Sequence, residues 1–467
     1  MTRNIHKLYT LLIAVFLLNS CKKQDNYLNV KRNLSDVSPS TLSDLQAVLD
    51  DPDAMNTPFP TIGFAGTDNF YITDANFGAI PAVHAAAYLW AKDIYQQIAG
   101  FSDDWDIPYG AIAHVNIVLD GLAKIDENQG NKNLFDNVRG SALFYRAFLF
   151  YSIAQIYCKP LDSATFKTDL GIVLRLTSDV NPKSTRSTVK ETYDQIINDI
   201  KTAIPLLPVT PAYKTRPSQS SANALLAKVY LSIKDYENAA LYSSKSLETF
   251  NGLLDYNSSL VKPTKRTPFP AYAANPEISF NATNQGVGAI LVFPRINLAN
   301  VDTVLYGLYD INDLRRACYY NSPFPGTIYF RGSYCTTGQG FNGIATNEVY
   351  LIHSESNARL GKLSIALDDL NTLLVNRYKT GTFTPLNIQD ADSLLATILV
   401  ERRKELAFTG QTRWEDLRRL NKDPRFAKTL TRISNGVTYT LPPNDPRYVL
   451  PIPDQEIQLS GIPQNVR

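Results

Sequence analysis

The chain has 467 residues, with 46 lysines and arginines against 44 aspartates and glutamates, and a formal net charge of +2. This near balance argues against a nucleic-acid partner, because such a partner requires a basic surface. The length alone suggests two or three domains and allows a large core. Four cysteines are too few for the fold to rest on a disulfide framework.

The first twenty residues have the pattern of a bacterial signal peptide. Two basic residues precede an apolar run from Leu8 to Leu18, which matches a signal core and is too short to span a bilayer. The run ends in Leu-Leu-Asn-Ser-Cys, which looks like a lipobox with Cys21 as the lipidated residue. We therefore expect a signal peptide over 1–20 and a polar, lipidated tether over 21–40, held to the membrane by its lipid. The alternative is an ordinary cleaved signal followed by an incidental cysteine.

Apolar residues at helical spacing predict four helices in the first half of the remaining chain. They cover residues 81–98, 102–122, 133–157 and 188–207. Ser102 is predicted to cap the second helix, with Asp103 and Asp104 in its first turn, where carboxylates suit the helix dipole. No segment after the signal peptide is long and apolar enough to cross a membrane, so the body is expected to stand in water.

Two later stretches, 220–249 and 346–375, each have the pattern of a helix, a break and a second helix. In each stretch two small residues stand twelve positions apart, and these are Ala227 and Ala239 in the first copy and Ser354 and Ala366 in the second. This spacing is typical of a tetratricopeptide unit, in which two antiparallel helices approach closely.

Between the two repeats, residues 251–345 are rich in Pro, Gly, Tyr, Phe and Asn. An irregular segment of this length is uncommon in a compact domain unless it is functional. A last long helix is predicted over 390–408, followed by a Pro-rich, mostly extended tail after Lys422. The sequence therefore predicts a mostly α fold. A single body over 41–467 has a tetratricopeptide-like helical-repeat scaffold, a large loop-rich insert and few short strands.

Four segments of this body resemble the SusD/RagB family of outer-membrane lipoproteins from the Bacteroidetes. They are Arg139–Leu161, Thr346–Asn371, Glu401–Arg419 and Tyr448–Asn465, in the order of the family. The third segment, ERRKELAFTGQTRWEDLRR, is the most specific match. The resemblance implies a lipid-anchored protein at the cell surface that covers a SusC-like TonB-dependent transporter and passes oligosaccharides or peptides to it. It also implies that the protein is not an enzyme and needs no cofactor.

Aromatic residues in irregular segments are the positive signal for binding, and the chain has 26 Tyr, 21 Phe and 3 Trp. Sugar rings lie with their C–H faces on aromatic planes, while nearby polar side chains bind the hydroxyls. The resemblance places the ligand site in an early segment of the body, around Phe70 to Trp90, and in the insert. The candidates there are Phe70, Tyr71, Asn76, Trp90, Tyr306, Tyr309, Arg315 and Arg316. The alternative is that these side chains pack the insert onto the helices.

Other motifs are better explained by structure than by chemistry. The charged cluster in 401–419 is expected to fasten the last helix to the scaffold, with Phe408 and Trp414 packed beneath it. The G-x-G-x-x-G sequence at 338–343 has no second strand with an acidic residue at the spacing of a dinucleotide site, so we interpret its glycines as loop hinges. The adjacent Asp103 and Asp104 are unlike a glycosidase pair, whose carboxylates come from separate elements.

Neither a metal site nor a catalytic residue is predicted. The histidines after the signal peptide, at 84, 114 and 353, are far apart and lack a second ligand at metal spacing. Cys318 and Cys335 flank a loop and could form a disulfide in an oxidising compartment, or remain free thiols like Cys158.

The leading hypothesis is a surface-exposed lipoprotein that binds a nutrient, with an oligosaccharide preferred, and delivers it to the transporter. Three alternatives remain. One is a peptide-capturing RagB-like lipoprotein, and another is a helical-repeat assembly scaffold at the outer membrane. The third, a glycoside hydrolase, would require two carboxylates facing each other in a cleft.

Overall fold

A computed structural model of the chain describes residues 39–95, 102–284, 298–322, 324–331, 334 and 340–467. The expected signal peptide and nearly all of the tether, with Cys21, lie outside the described residues. Within the described ranges, no helix combines the length and the hydrophobicity of a membrane span.

The fold is mostly α, as predicted. The helices are α1 (Leu42–Leu49), α2 (Pro52–Met55), α3 (Asp74–Phe77), α4 (Ala82–Tyr88), α5 (Asp103–Leu122), α6 (Lys132–Tyr157), α7 (Val189–Ala203), α8 (Gln219–Ser232), α9 (Tyr236–Thr249), α10 (Thr303–Gly307), α11 (Leu314–Tyr319), α12 (Thr346–Arg359), α13 (Leu363–Val375), α14 (Ala391–Glu405), α15 (Thr412–Leu420) and α16 (Asp454–Ser460).

The strands are short and pair two by two. They are β1 (Phe70–Ile72), β2 (Leu170–Val173), β3 (Arg186–Thr188), β4 (Ile278–Phe280), β5 (Thr283–Asn284), β6 (Ala299–Val301), β7 (Tyr320–Asn321), β8 (Tyr329–Phe330), β9 (Gly340–Phe341), β10 (Ile344–Ala345), β11 (Leu430–Ser434) and β12 (Val437–Leu441). The antiparallel pairs among the described residues are β1–β6, β2–β3, β4–β10, β5–β9, β7–β8 and β11–β12.

Helix α6 is the centre of the scaffold, and every residue from 140 to 157 is buried. A helix that is buried on all sides must be covered by neighbours on all sides, and α5 and α7 both pack against it. Its one buried guanidinium, Arg146, is neutralised by Asp199 of α7, with Nε–Oδ2 and Nη2–Oδ1 distances of 2.8 and 2.9 Å. The predicted helix over 133–157 is confirmed.

The two tetratricopeptide-like pairs are also confirmed. In the first, Ala227 and Ala239 are fully buried where α8 meets α9. In the second, Ser354 Oγ donates a hydrogen bond of 2.6 Å to the carbonyl of Ala366, which requires α12 and α13 to lie close together. Helix α9 packs directly against α12, so the two pairs stack although the insert separates them in sequence.

Two sequence predictions need correction in this region. The helix predicted over 81–98 is only α4, because Trp90 has a left-handed backbone with φ 53° and the chain leaves the helix there. The part of that prediction over 96–98 lies outside the described residues. Ser102 is at the N-cap of α5, but its hydroxyl does not cap the helix; its backbone N–H donates to Asp106 Oδ2 at 2.6 Å instead.

The tail was predicted to be mostly extended; its extended residues include the β11–β12 hairpin, and helix α16 is the part that departs from the prediction. Asn435 and Gly436 join the two strands with φ values of 49° and 74°. Positive φ at both central residues is what a two-residue type I′ turn requires, and Asn-Gly is its preferred sequence. The short turn signal was therefore present in the sequence.

Candidate ligand-binding surface

The early segment and the insert meet through strands β1 and β6. Tyr71 is paired with Asn300 in this antiparallel ladder, and the N–H of Asp302 donates to the carbonyl of Asn69 at 2.9 Å. Just beyond β1, Asn76 Nδ2 donates to the carbonyl of Leu298 at 3.3 Å. The structure thus brings together the two regions in which the family resemblance placed the ligand site.

Four of the predicted site residues reach the surface in this region, and they are Tyr71, Asn76, Tyr306 and Arg316. In β1 the side chains alternate, so Tyr71 is 36% exposed between two buried neighbours. Tyr306 is on α10, which begins directly after β6 and is capped by Asp302 Oδ1 at 2.8 Å from Leu305 N. The Arg316 guanidinium lies 4.7 Å from the centroid of the Tyr306 ring. We call these four residues the β1–β6 surface.

The other four predicted site residues are buried, as expected if their side chains pack the core and do not bind a ligand. Phe70 stacks on Phe64 with ring centroids 5.3 Å apart, and the Trp90 indole N–H donates to the carbonyl of Gly66 at 3.0 Å. Tyr309 and Arg315 are likewise held inside, since the Tyr309 hydroxyl donates to the Lys404 carbonyl at 2.7 Å and Arg315 is fully enclosed by carboxylates. Their side chains support the surface and do not face a ligand.

Arg432, on strand β11, was not identified from the sequence, although it holds this region together. Its guanidinium stacks on Tyr88 and Trp90, at 3.7 and 4.5 Å from their ring centroids. It donates to the carbonyl of Ala65 at 3.0 Å and to those of Thr67 and Tyr88. Burial lowers the pKa of Arg432 to about 10. An arginine in an alternating strand is expected to point to solvent, so only the packing revealed its role.

The charged signature segment has the structural role that was predicted for it. Arg402 lies 3.0 Å from both Glu348 and Asp416, and Arg419 contacts Glu355 at 2.6 Å. These pairs fasten α14 and α15 to the repeat helix α12. Trp414 and Phe408 are buried beneath them, 1% and 7% exposed.

Two other arginines of this signature segment contact the residues next to β1. Arg413 Nε lies 2.7 Å from Asp68 Oδ1, and Arg403 Nη2 lies 3.4 Å from Asp68 Oδ2. Burial alone would raise the pKa of Asp68, but the two guanidinium groups hold it well below its usual range. Since Asp68 is two positions before the start of β1, these pairs fix the strand that carries Tyr71.

A further ion network joins the insert to the scaffold. Arg377 lies 2.6 Å from Glu277 and 2.8 Å from Glu405, and Arg315 lies 3.0 Å from Glu405. All four side chains are fully buried. Burial raises the pKa of Glu277 to about 7, although Arg377 opposes this shift. We call these residues the insert network. The sequence analysis singled out Glu405 and Arg315, but not Arg377 or Glu277.

Asp104 has a structural task rather than a catalytic one. Its Oδ1 accepts hydrogen bonds from the backbone N–H groups of Thr61 and Ile62, at 2.6 and 3.0 Å. It thereby caps the 3-10 turn Ile62–Gly66 from a neighbouring helix. Burial raises the pKa of Asp104 to about 6, and the two backbone hydrogen bonds only partly offset this.

This raised pKa predicts a pH effect on stability. The folded protein binds a proton at Asp104 that the unfolded chain, with a pKa near 3.8, has lost, so stability falls as pH rises from about 4 to about 6. We therefore expect the free energy of unfolding of Asp104→Asn, relative to that of the wild type, to increase by up to about 3 kcal/mol as pH rises across that window. Urea unfolding at several pH values measures the difference, and a pH-independent difference would contradict the role given to the Asp104 carboxyl.

Within the described part of the chain, the remaining sequence motifs have structural roles or form no metal site. A Cβ on Gly343 would clash with the carbonyl oxygen of Phe280, so that glycine permits close strand approach, while Gly338 lies outside the described residues. Cys318 is a buried free thiol, and its possible partner Cys335 lies outside the described residues too. Among the described residues, no group of His, Cys, Asp or Glu is arranged to hold a metal ion.

The fold defines a class of protein: a helical-repeat scaffold with a loop-rich insert, in which partly exposed aromatic side chains lie where the insert meets the early segment. Comparisons with known proteins specify the family. A family model described as "Starch-binding associating with outer membrane" matches residues 26–231, and a SusD family model matches residues 344–466. The chain belongs to the SusD family.

Individual relatives agree with this assignment. The chain is 26% identical to SusD-like protein P2 of Formosa agariphila over 380 residues, which cover 68% of this chain and 71% of the relative. A SusD superfamily structure from Bacteroides thetaiotaomicron matches with a TM-score of 0.72 and 20% identity, over 91% of this chain and 100% of the other. A SusD-like carbohydrate binding protein from Bacteroides vulgatus gives a TM-score of 0.65 and 20% identity, over 90% and 97%. At these identities the structures establish the fold.

Proposed function

We propose that this protein is a lipoprotein of the outer membrane, anchored through Cys21, that binds an oligosaccharide and delivers it to a SusC-like TonB-dependent transporter. The signal peptide over 1–20, the tether over 21–40 and the single body over 41–467 are parts of this proposal. The observation that carries it is the β1–β6 pairing, which joins the early segment to the insert and leaves Tyr71 exposed.

The β1–β6 surface has the chemistry that a sugar requires. The rings of Tyr71 and Tyr306 offer apolar faces to the C–H groups of a sugar ring. Arg316 is half-buried beside the Tyr306 ring, and its guanidinium can donate hydrogen bonds to the hydroxyls of the sugar. Val304 and Phe324, which are close in sequence to Tyr306 and Arg316, are also apolar and are 62% and 59% exposed. A shallow surface of this kind binds reversibly, which suits a protein that must release its ligand to a transporter.

The test is calorimetric titration of the protein from residue 22 onward with a panel of oligosaccharides and peptides. Tyr306→Ala is expected to weaken binding by about tenfold, because it removes one stacking platform and releases Arg316. Tyr71→Ala is expected to act in the same direction. The matched control is Tyr213→Ala, since Tyr213 is also an exposed tyrosine with an arginine, Arg216, 5.7 Å from its ring centroid.

Each outcome bears on a different part of the proposal. If Tyr213→Ala weakened binding as much as Tyr306→Ala, the β1–β6 surface would not be the site. If peptides bound and no glycan did, the protein would belong with the peptide-capturing RagB-like branch. If no panel member bound, the helical-repeat assembly scaffold would become the better hypothesis.

A further inference from the structure

A separate cavity of about 230 Å³ lies between α5, the segment that follows β2 and helix α16. None of the four residues of the β1–β6 surface lines it. On one side the rings of Trp105 and Tyr109 pack together with centroids 4.8 Å apart. Val180, which is 85% exposed, also lines it. The volume is smaller than that of a drug-sized site and suits a ligand of about one sugar ring.

Hydrogen bonds hold the walls of this cavity in place. Asn116 Nδ2, on α5, donates to the carbonyls of Arg175 and Thr177 at 2.9 and 3.2 Å. The Arg175 guanidinium in turn donates to the carbonyl of Pro182 at 2.8 Å and to Ser184 Oγ at 2.7 Å. The cavity is therefore preformed, and a ligand would not have to order the loop around it.

Two polar groups in the cavity have no partner among the residues that the structure describes. Trp105 is 3% exposed and lines the cavity, and no described residue accepts a hydrogen bond from its indole N–H. An indole N–H that no protein group engages can donate to an oxygen of a ligand. The Glu456 carboxylate, in the first turn of α16, likewise receives no hydrogen bond or ion pair from the described residues.

The cavity is negatively charged. Three carboxylates line it, those of Asp106, Asp179 and Glu456, against the single guanidinium of Arg175, which donates to the carbonyl of Pro182 and to Ser184 Oγ. Glu456 lies beside the aromatic pair: burial raises the pKa of Tyr109, and the charge of Glu456 raises it further. Aromatic faces and a free carboxylate are the two features that together attract a cation.

We propose that this cavity binds a protonated amine carried by a compact polar ligand. The ammonium group lies against Glu456 and the Trp105–Tyr109 pair, and an oxygen next to the amine accepts the Trp105 N–H. A hexosamine and a free amino acid both present this combination of amine and oxygen. The site is independent of the β1–β6 surface and of the function proposed for it.

The test uses the folded protein with glucosamine, glucose and L-lysine as probes, followed by calorimetry and ligand-observed NMR. Glucosamine is expected to bind with a Kd on the order of 1 mM, and glucose, which lacks the charge, at least about tenfold more weakly. Glu456→Gln keeps the shape of the side chain and removes its charge, so it should weaken glucosamine binding by about tenfold. Trp105→Phe keeps an aromatic ring and should weaken it by about threefold through loss of the N–H.

Glu237→Gln is the matched control, because Glu237 is an exposed glutamate in the first turn of another helix, α9. It should leave glucosamine binding unchanged, as should Tyr306→Ala, which separates this site from the proposed oligosaccharide surface. Binding of glucosamine alone would assign an amino sugar, and equal binding of lysine would assign the amine whatever carries it. The proposal is overturned if neither amine binds, if glucose binds as well as glucosamine, or if Glu456→Gln binds normally.

Discussion

Replacement of Arg377 by leucine is expected to lower the free energy of unfolding by about 3–5 kcal/mol. The Arg377 side chain is fully buried and is shared between Glu277 and Glu405, which are also fully buried. Its Nη1 also donates to the carbonyl of Leu254 at 2.8 Å. Leucine would leave Glu277 without its cation in a region that excludes water, whereas Glu405 would keep Arg315, so Glu277 would have to take up a proton. Urea unfolding at neutral pH gives the measurement.

Arg425→Leu provides the matched control for this prediction. Arg425 also contacts two carboxylates, those of Asp423 and Asp392, but its side chain is 46% exposed. Water already solvates these charges, so the loss should be under about 1 kcal/mol. Equal stabilities for the two variants would show that the insert network does not contribute to stability through its burial.

Replacement of Phe280 by alanine is expected to cost about 3–5 kcal/mol and to loosen the insert from the scaffold. Phe280 is fully buried on β4, and its ring lies against α6, with centroid distances of 5.0 Å to Phe144 and 5.8 Å to Tyr145. The cavity left by the ring would lie where the insert meets the central helix. Urea unfolding measures the stability, and hydrogen exchange measures whether 278–284 opens before the helices do.

Phe324 belongs to the same insert and serves as the comparison, because it is 59% exposed. Phe324→Ala should change stability by no more than about 0.5 kcal/mol. A result in which the exchange of 278–284 stayed at the wild-type rate in Phe280→Ala would mean that the ring does not anchor the insert. Ligand binding by Phe324→Ala, measured in parallel, reports whether this exposed ring belongs to the β1–β6 surface.

The helical part of the fold could be predicted because its signals are local. Apolar residues at a spacing of three and four along α6, and paired small residues in the two repeats, are set by the geometry of a helix whatever it packs against. Proline and glycine stops gave most of the boundaries. The helix predicted over 81–98 forms over Ala82–Tyr88 but does not continue to residue 95, because Trp90 takes a left-handed conformation whose partners Gly66 and Arg432 are distant in sequence.

The sequence analysis predicted the regions that contain the candidate site, but half of the residues that it named are buried in the structure. Of the eight residues named, Tyr71, Asn76, Tyr306 and Arg316 lie at the surface, and the others pack inside. An aromatic residue that binds a sugar and one that fills a core have the same side chain, so composition cannot separate them. The supporting contacts of Arg432 and Asp68 were missed for a related reason, since each depends on segments far apart in the chain.

The sequence by itself determined the helical scaffold, the two repeats, the family and the structural role of the charged signature segment, because each is written in short-range spacing or in a contiguous motif. Tertiary structure alone decided which side chains a ligand can reach. The register of β1 against β6 turns Tyr71 outward and Phe70 inward, and a shift of one residue would exchange them. That register is set by contacts between segments distant in the chain, so the residues of β1 could not reveal it.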